Sequence, residues 1–308
     1  MLVTGGAGFI GSHFVDRFVS EGHQVWVLDN LRSGSKANLN PAAAFLPMDL
    51  KDDRLAQAVA AVRPEAVFHL AAQIDVRISC GDPVFDATEN ILATLRLIEA
   101  GLANGMDFFG FASSGGAIYG EATGPQSEAH SEVPMNPYGV AKLAVDKYLH
   151  AYAVQRGLRS ASLRFSNVYG PRQGAKGEAG VVAVFAKRLR DSRAPHIHGD
   201  GLQTRDFVFA PDLAEAASLV LQQRATGIFN LGTGRETTVL ELAKVLCKAA
   251  AFDPAQIQHG SGIAGEQHRS VLDASKAARE LGWTPRTGLA EGLQITYDWF
   301  AANRLEEA

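Results

Sequence analysis

Tyr138 and Lys142 stand four residues apart in the run Asn136-Pro137-Tyr138-Gly139-Val140-Ala141-Lys142, so on a helix both side chains leave the same face. Pro137 suits the entry to such a helix, because the N–H it lacks would be unpaired there in any case. A phenol has a pKa of about 10 and is a poor base at neutral pH, but an adjacent ammonium favours its ionised form. The pair could therefore take a proton from an alcohol. Upstream, Phe111-Ala112-Ser113-Ser114-Gly115-Gly116-Ala117-Ile118-Tyr119-Gly120 places two serines where a strand predicted over 108–112 runs out. Ser114 could hold the reacting hydroxyl and share its proton with Tyr138. Each signal also has a plainer reading: a solvated Tyr-Lys pair on a helix surface, and serines and glycines that merely turn the chain.

The run Thr4-Gly5-Gly6-Ala7-Gly8-Phe9-Ile10-Gly11-Ser12-His13 shifts the balance toward chemistry. It follows Met1-Leu2-Val3 and opens into a helical pattern with Phe14, Val15, Phe18 and Val19 on one face, so the glycines sit at a strand-to-helix turn. Gly5, Gly8 and Gly11 are evenly spaced, and Gly6, Gly8 and Gly11 fit G-x-G-x-x-G. This spacing permits a tight turn whose backbone approaches a pyrophosphate laid against a helix N-terminus. The next apolar run, Gln24 to Leu28, reads as a buried strand and ends at Asp29. A carboxylate about 20 residues beyond the glycines accepts both ribose hydroxyls of an adenosine and repels a 2′-phosphate. NAD is therefore expected over NADP. Its cationic nicotinamide would add to the effect of Lys142 on Tyr138 while accepting hydride from the same carbon.

These residues need a scaffold that gathers positions 4–13, 29, 114 and 138–142 at one edge. Strand-like segments over 2–3, 25–28, 43–46, 66–70, 108–112 and 160–165 alternate with helical patterns over 12–21, 52–62, 85–104 and 138–156. That order produces a doubly wound parallel sheet, whose strand carboxyl ends collect ligands. Beyond Arg164 the regularity falls, with a helix predicted over 211–223, a short strand over 228–231 and a helix over 239–250. The expected architecture is α/β: a Rossmann-type sheet domain over 1–165, joined by part of 205–232, and a smaller mixed substrate domain over 166–308.

Composition agrees with a globular chain: 308 residues, 46% hydrophobic, 20% charged and a net charge of −4. There is no electrostatic footprint for nucleic acid. No run approaches the ~18 apolar residues of a membrane span. The first residues read as strand and turn rather than as a leader, so the cytoplasm is the expected compartment. Cys80 and Cys247 lack metal-ligand spacing, and no metal is expected.

Further motifs follow in order: Asp29-Asn30-Leu31, Asp49-Leu50, His69-Leu70-Ala71-Ala72-Gln73, SSGGAIYG at 113–120, YGVAK at 138–142, and Arg164-Phe165-Ser166-Asn167-Val168-Tyr169-Gly170-Pro171-Arg172-Gln173. Gly199-Asp200-Gly201, Arg205-Asp206-Phe207-Val208 and Asn230-Leu231-Gly232-Thr233-Gly234 complete the set. With the glycine turn they run through nearly the whole chain, which resembles the extended short-chain dehydrogenase/reductase family and, within it, the nucleotide-sugar 4-epimerases. The resemblance implies an NAD-dependent enzyme that interconverts UDP-glucose and UDP-galactose through a 4-keto sugar. Tyr138 would take the proton, Ser114 relay it, and Lys142 bond the nicotinamide ribose.

It assigns Gly5, Gly8, Phe9, Ile10, Gly11, Asp29, Asn30, Leu70, Ala71, Ala72, Gln73, Ser113, Tyr138 and Lys142 to the cofactor, with Asp49 and Leu50 at the adenine and Phe165 by the nicotinamide. Asn90, Ser114, Tyr138, Asn167 and Arg205 would meet the UDP-sugar. Arg205 suits that place because a guanidinium fork matches phosphate oxygens. A homodimer through the helices over 85–104 and 138–156 is implied as well.

Three departures stand out. Where relatives carry an arginine before a short Pro-Gly-acid turn, this chain has Ile263 in Ile263-Ala264-Gly265-Glu266, and Arg269 is the substitute expected to reach the diphosphate. Ser270 falls at a wall of the sugar pocket, where a small side chain leaves room for a 2-acetamido group. The serine segment is one glycine longer than in larger epimerases, which leaves both Ser113 and Ser114 open as the active serine. A 4,6-dehydratase would need an acid and a base after the serine, where Gly115 and Gly116 stand. A decarboxylase, a deoxysugar reductase and a non-catalytic NAD-binding regulator are the other readings.

Overall fold

The computed structural model describes residues 1–121, 123–174, 180–262 and 267–303. Seven parallel strands form the central sheet: β1 Leu2–Thr4, β2 Trp26–Asp29, β3 Ala44–Pro47, β4 Ala66–His69, β5 Phe108–Ser114, β6 Arg159–Phe165 and β7 Gly227–Leu231. Their order across the sheet is β7-β6-β5-β4-β1-β2-β3, so the winding reverses between β1 and β4. β1 is short but paired on both sides, with Val3 opposite Val27 and Phe68. Strands covered on both faces read as continuous apolar runs, and Val67, Phe68, Phe109 and Leu163 are all buried. The fold is therefore the Rossmann-type doubly wound α/β sheet that the sequence predicts.

One face of the sheet carries helices α1 (Phe9–Ser20) and α5 (Ala210–Gln222), which bury Phe14, Phe18, Leu213 and Val220 against Val27, Phe68 and Leu163. The other face carries α2 (Leu55–Val62), α3 (Ala93–Ala103) and α4 (Pro137–Arg156), with Leu55, Leu97, Val145 and Leu149 packed on Leu2, Val67 and Phe109. A third apolar cluster lies among the helices Val181–Arg190, Val239–Ala249 and Leu289–Ala302. Three small sheets adjoin it: Asn167–Tyr169 with Phe207–Phe209, Thr204–Arg205 between Thr237–Thr238 and Arg269–Ser270, and His196–His198 with Gln258–Gly260. Among the described residues no helix is long and apolar enough to cross a membrane.

The stretch expected as one helix over 85–104 is broken. Asp82 caps a short helix, Pro83–Ala87, by accepting the Phe85 amide at 2.9 Å. A single π-helical turn, Thr88–Leu92, then leads into α3. In and before this widened turn, Asp86 and Asn90 direct their side chains to the loop after β4, and the Thr94 hydroxyl donates to the Asn90 carbonyl at 2.7 Å. Such single π turns within helices are frequent at functional sites.

Candidate active site

At the switch between β1 and β4 the backbone turns at Gly5, whose φ is 69°. A Cβ there would lie 2.6 Å from the Ala71 amide nitrogen, and one on Gly11 would lie 2.1 Å from the Gly5 carbonyl oxygen. The first glycine thus lets β1 pass the end of β4, and the last presses α1 onto the turn. No side chain caps α1, so its first-turn N–H groups, Phe9 and Ile10 among them, are the donors an anion would meet.

Asp29 is buried at the end of β2, where Oδ2 accepts the Ala7 amide at 3.0 Å and Oδ1 the Leu31 amide at 2.8 Å. Both oxygens are fixed, and each keeps a lone pair for a ribose hydroxyl. Asn30 donates to Asp49 at 2.8 Å, and the other Asp49 oxygen accepts the Lys51 amide at 2.8 Å, beside buried Leu50. Leu70 and Ala71 donate their amides to Thr4, at 3.0 and 3.4 Å, and so line the turn ahead of Ala72 and Gln73. Phe165 closes the end of β6, 6.3 Å from the Phe14 ring. A cradle that any Cβ would fill, joined to a fixed pair of acceptors at Asp29, fits an adenine dinucleotide.

Asn136 caps α4 by accepting the Gly139 amide at 2.9 Å, and Pro137 occupies the first turn. A Cβ on Gly139 would lie 2.4 Å from the Ala117 carbonyl oxygen. The glycine between Tyr138 and Lys142 therefore lets the helix close on the turn that follows Ser114. The Ser114 hydroxyl lies close enough to the Tyr138 phenol to favour its ionised form. Lys142 Nζ lies 5.7 Å from the centre of the Tyr138 ring and donates to the Ala112 carbonyl at 2.8 Å. Ser113, one residue earlier on the strand, is buried on the side of Asp146. Of the two serines, Ser114 is the one at Tyr138.

Burial pushes the Tyr138 phenol up to about 12, with the Ser114 hydroxyl opposing and Asp86 adding to the rise. Burial likewise lowers Lys142 to about 8, against the pull of Asp146 and Asp86. The sequence suggests a phenol made basic by its ammonium neighbour. In the protein alone desolvation dominates, and positive charge against the ring is needed to ionise Tyr138 near neutral pH. His69 lies behind the pair, between the hydroxyls of Thr4 and Thr94 at 2.6 and 2.8 Å, and burial lowers its pKa to about 3. Its ring is neutral and serves as a fixed link between two strands' ends and α3.

Gly116, two residues after Ser114, faces the small sheets: a Cβ there would stand 3.8 Å from Ser270 Oγ and 4.0 Å from Asn167 Oδ1. Ser270 pairs in register with Arg205 on the neighbouring strand. Asp206, beside Arg205, turns inward instead. It is fully buried and accepts the Thr233 amide and hydroxyl at 2.8 and 2.6 Å, which ties down the Asn230–Gly234 turn.

Two predicted contacts are engaged elsewhere. Arg269 forms a two-pronged pair with Glu236, at 2.8 and 2.5 Å, and donates to the Thr123 carbonyl at 2.5 Å. Its fork is occupied within the protein. Asn90 is buried, bonded to the amide and carbonyl of Gln73 at 2.9 Å each, and so fixes the loop after β4. Ile263 lies outside the described residues. The roles of Gly139, Asp206, His69 and Asp86 are not evident in the linear sequence, because each depends on a partner far along the chain.

The profile of the NAD dependent epimerase/dehydratase family matches residues 1–232. The UDP-glucose 4-epimerase of Mycolicibacterium smegmatis is 42% identical over 306 residues, 97% of both chains. The structure of Thermotoga maritima UDP-glucose 4-epimerase with UDP-glucose matches at a TM-score of 0.94 and 43% identity, over 98% of both chains. That of the Thermus thermophilus UDP-glucose 4-epimerase, in complex with NAD, matches at 0.92 and 41% identity, over 97% of this chain and 98% of that one. Likeness of this extent in sequence and in fold, around a cradle shaped for a dinucleotide, leaves one assignment: the chain belongs to the NAD-dependent epimerase/dehydratase family.

Proposed function

We propose that the protein is a UDP-hexose 4-epimerase that interconverts UDP-glucose and UDP-galactose and keeps its NAD through each turnover. The observation that carries this reading is the meeting of Ser114, Tyr138 and Lys142 at the end of β5, with Gly116, Asn167 and Ser270 close by. Bound NAD would supply a hydride acceptor for the sugar C4 and return the hydride afterwards. Tyr138 takes the proton of the 4-hydroxyl, Ser114 orients that hydroxyl and shares the proton, and Lys142 bonds the nicotinamide ribose. Arg205 and Asn167 hold the diphosphate, so the sugar is gripped through its nucleotide and can present either face. The glycine turn with Phe9 and Ile10 holds the pyrophosphate, Asp29 the adenosine ribose, Asn30, Asp49 and Leu50 the adenine end, and Phe165 the nicotinamide. Residues 1–165 with β7 form the NAD-binding domain, and most of 166–308 the substrate domain. Arg269 would reach the phosphates only by leaving Glu236.

A dehydratase would need an acid and a base near C6. Gly115, Gly116, Ala117 and Ile118 follow Ser114 with no ionisable group, and a Cβ on Gly115 would lie 2.5 Å from the Leu272 side chain. The exposed apolar side chains Val84, Leu92, Val140 and Tyr148, on the helical segments over 83–103 and 137–156, support pairing with a second copy. The cytoplasm is the compartment that accompanies this reading.

Purified protein given UDP-galactose without added NAD is expected to form UDP-glucose with no net NADH. Accumulating NADH, or a 4-keto-6-deoxy product, would overturn the assignment. Ser270 leaves space at the pocket wall, so UDP-N-acetylgalactosamine is expected to turn over too. Failure of that substrate alone would remove Ser270 from the argument and leave epimerisation standing.

A further inference from the structure

Asp86 is a buried carboxylate that the reaction outlined above does not use. It sits in the short helix Pro83–Ala87, where it faces Pro137, Val140 and Ala141 of α4 across one groove. Its Oδ1 accepts from Gln73 Nε2 at 2.9 Å and from Asn90 Nδ2 at 3.0 Å. Two neutral amides thus fix the carboxylate beside the first turns of the helix that carries Tyr138 and Lys142. We propose that Asp86 is a positioning residue for the Tyr138–Lys142 pair, its fixed negative charge holding the proton on Tyr138 until a cationic nicotinamide lies against the pocket. This rests on Tyr138 being the proton acceptor.

The physical case is electrostatic. A negative charge beside a phenol disfavours the phenolate, and beside an ammonium it favours the charged form. Both Tyr138 and Lys142 feel the field of Asp86 in those directions. Burial pushes Asp86 itself up, while the bonds from Gln73 and Asn90 and the charge of Lys142 oppose this. The other groups packed around the pair are Ser114 from β5, Asp146 one turn beyond Lys142, and His69 from β4, which is neutral. Asp86 is therefore the negative charge on the helical segment packed against the first turns of α4. Once the positive charge of a bound nicotinamide were neutralised, Asp86 would again favour the protonated phenol. The proton then stays on Tyr138 for return to the keto oxygen, and no proton is lost while the sugar turns over.

The test is Asp86→Asn, which keeps the shape and can still accept both amide bonds, with Asp86→Ser as a second way to remove the charge. Tyrosinate formation is followed by ultraviolet difference titration, with the same variant carrying Tyr138→Phe as the blank, alongside the pH dependence of kcat. Both the Tyr138 titration and the acid limb of kcat are expected to move down by about one pH unit, a rate gain of about tenfold on that limb. An unmoved titration and an unmoved limb, in either variant with a native near-ultraviolet spectrum and with Tyr138→Phe inactive, would overturn the role of Asp86 alone. Full turnover by Tyr138→Phe would instead overturn the reading of Tyr138 and this proposal with it.

Discussion

Tyr138→Phe lowers turnover of UDP-galactose by about 10²- to 10⁴-fold, the range that a positioned acid or base contributes, and leaves NAD bound. The substitution deletes one oxygen at a half-buried position whose ring rests near Lys142 and whose hydroxyl lies by Ser114. The ring stays, so the packing of α4 on the turn after Ser114 stays. What is lost is the only group among the three that can both accept the 4-hydroxyl proton and give it back. Ser114 has an oxygen but no means of ionising, and Lys142, lowered to about 8 by burial, donates to the Ala112 carbonyl. The loss should fall on kcat with KM little changed, because in the proposed reading Arg205 and Asn167 rather than Tyr138 grip the nucleotide. NAD content, read from the absorbance of cofactor released on denaturation, should match the parent, since the substitution leaves the glycine turn and Asp29 unchanged. Parental kcat in this variant would reject Tyr138 as the proton acceptor.

The sequence made the scaffold legible where period and punctuation were strong. Apolar runs ending at Asp29 and Ser114, and glycines opening a helix, are local signals, and they place the cradle and the Tyr-Lys pair. What was not legible depends on distant partners. Gly139 looks like a filler in Y-G-V-A-K until the Ala117 carbonyl is found 2.4 Å from where its Cβ would be. Asp206 looks like the surface partner of Arg205, yet it is fully buried and bonded to Thr233. The segment over 85–104 has unbroken helical composition, and its π turn arises from Asn90 bonding Gln73, 17 residues earlier. Arg269 reads as a free cation in sequence because Glu236, which holds it, lies 33 residues away. The helices Val181–Arg190 and Leu289–Ala302 bury their apolar faces on each other and on Val239–Ala249, a contact no local window contains.

Arg164→Met should be the most destabilising single change in the scaffold, by about 3–5 kcal/mol, the cost of leaving a buried charge without its partner. Arg164 lies on β6 with no exposed surface. It donates to Asp146 of α4 at 2.9 Å, to the Tyr119 hydroxyl at 2.8 Å and to Glu132 at 2.5 Å. Tyr119 passes the connection on to Asn230 of β7 at 2.9 Å, and Ser162 holds the second Asp146 oxygen at 2.5 Å. One guanidinium therefore joins β6, the helix of Tyr138 and Lys142, the segment after Ser114 and β7. Methionine fills much of the volume but leaves Asp146 as an orphaned buried anion. Burial already pushes Asp146 up, and Arg164 is the main opposing influence.

Without Arg164, the folded-state pKa of Asp146 rises further above its unfolded value. The folded variant then binds a proton that the unfolded chain does not. By linkage its deficit is largest above that raised pKa and shrinks as the pH falls through it. Urea unfolding at pH 8 and pH 5.5 should show this contrast, with m unchanged and the midpoint gap narrower at the lower pH. Adding Asp146→Asn to Arg164→Met should recover part of the loss at pH 8, because the double variant holds no orphaned anion at that site. A single variant within about 1 kcal/mol of the parent at pH 8 would mean that the network is no tighter than a surface pair. Asp146 also faces Lys142, so if the network is tight, the same bonds that stabilise the sheet hold the ammonium in place beside Tyr138.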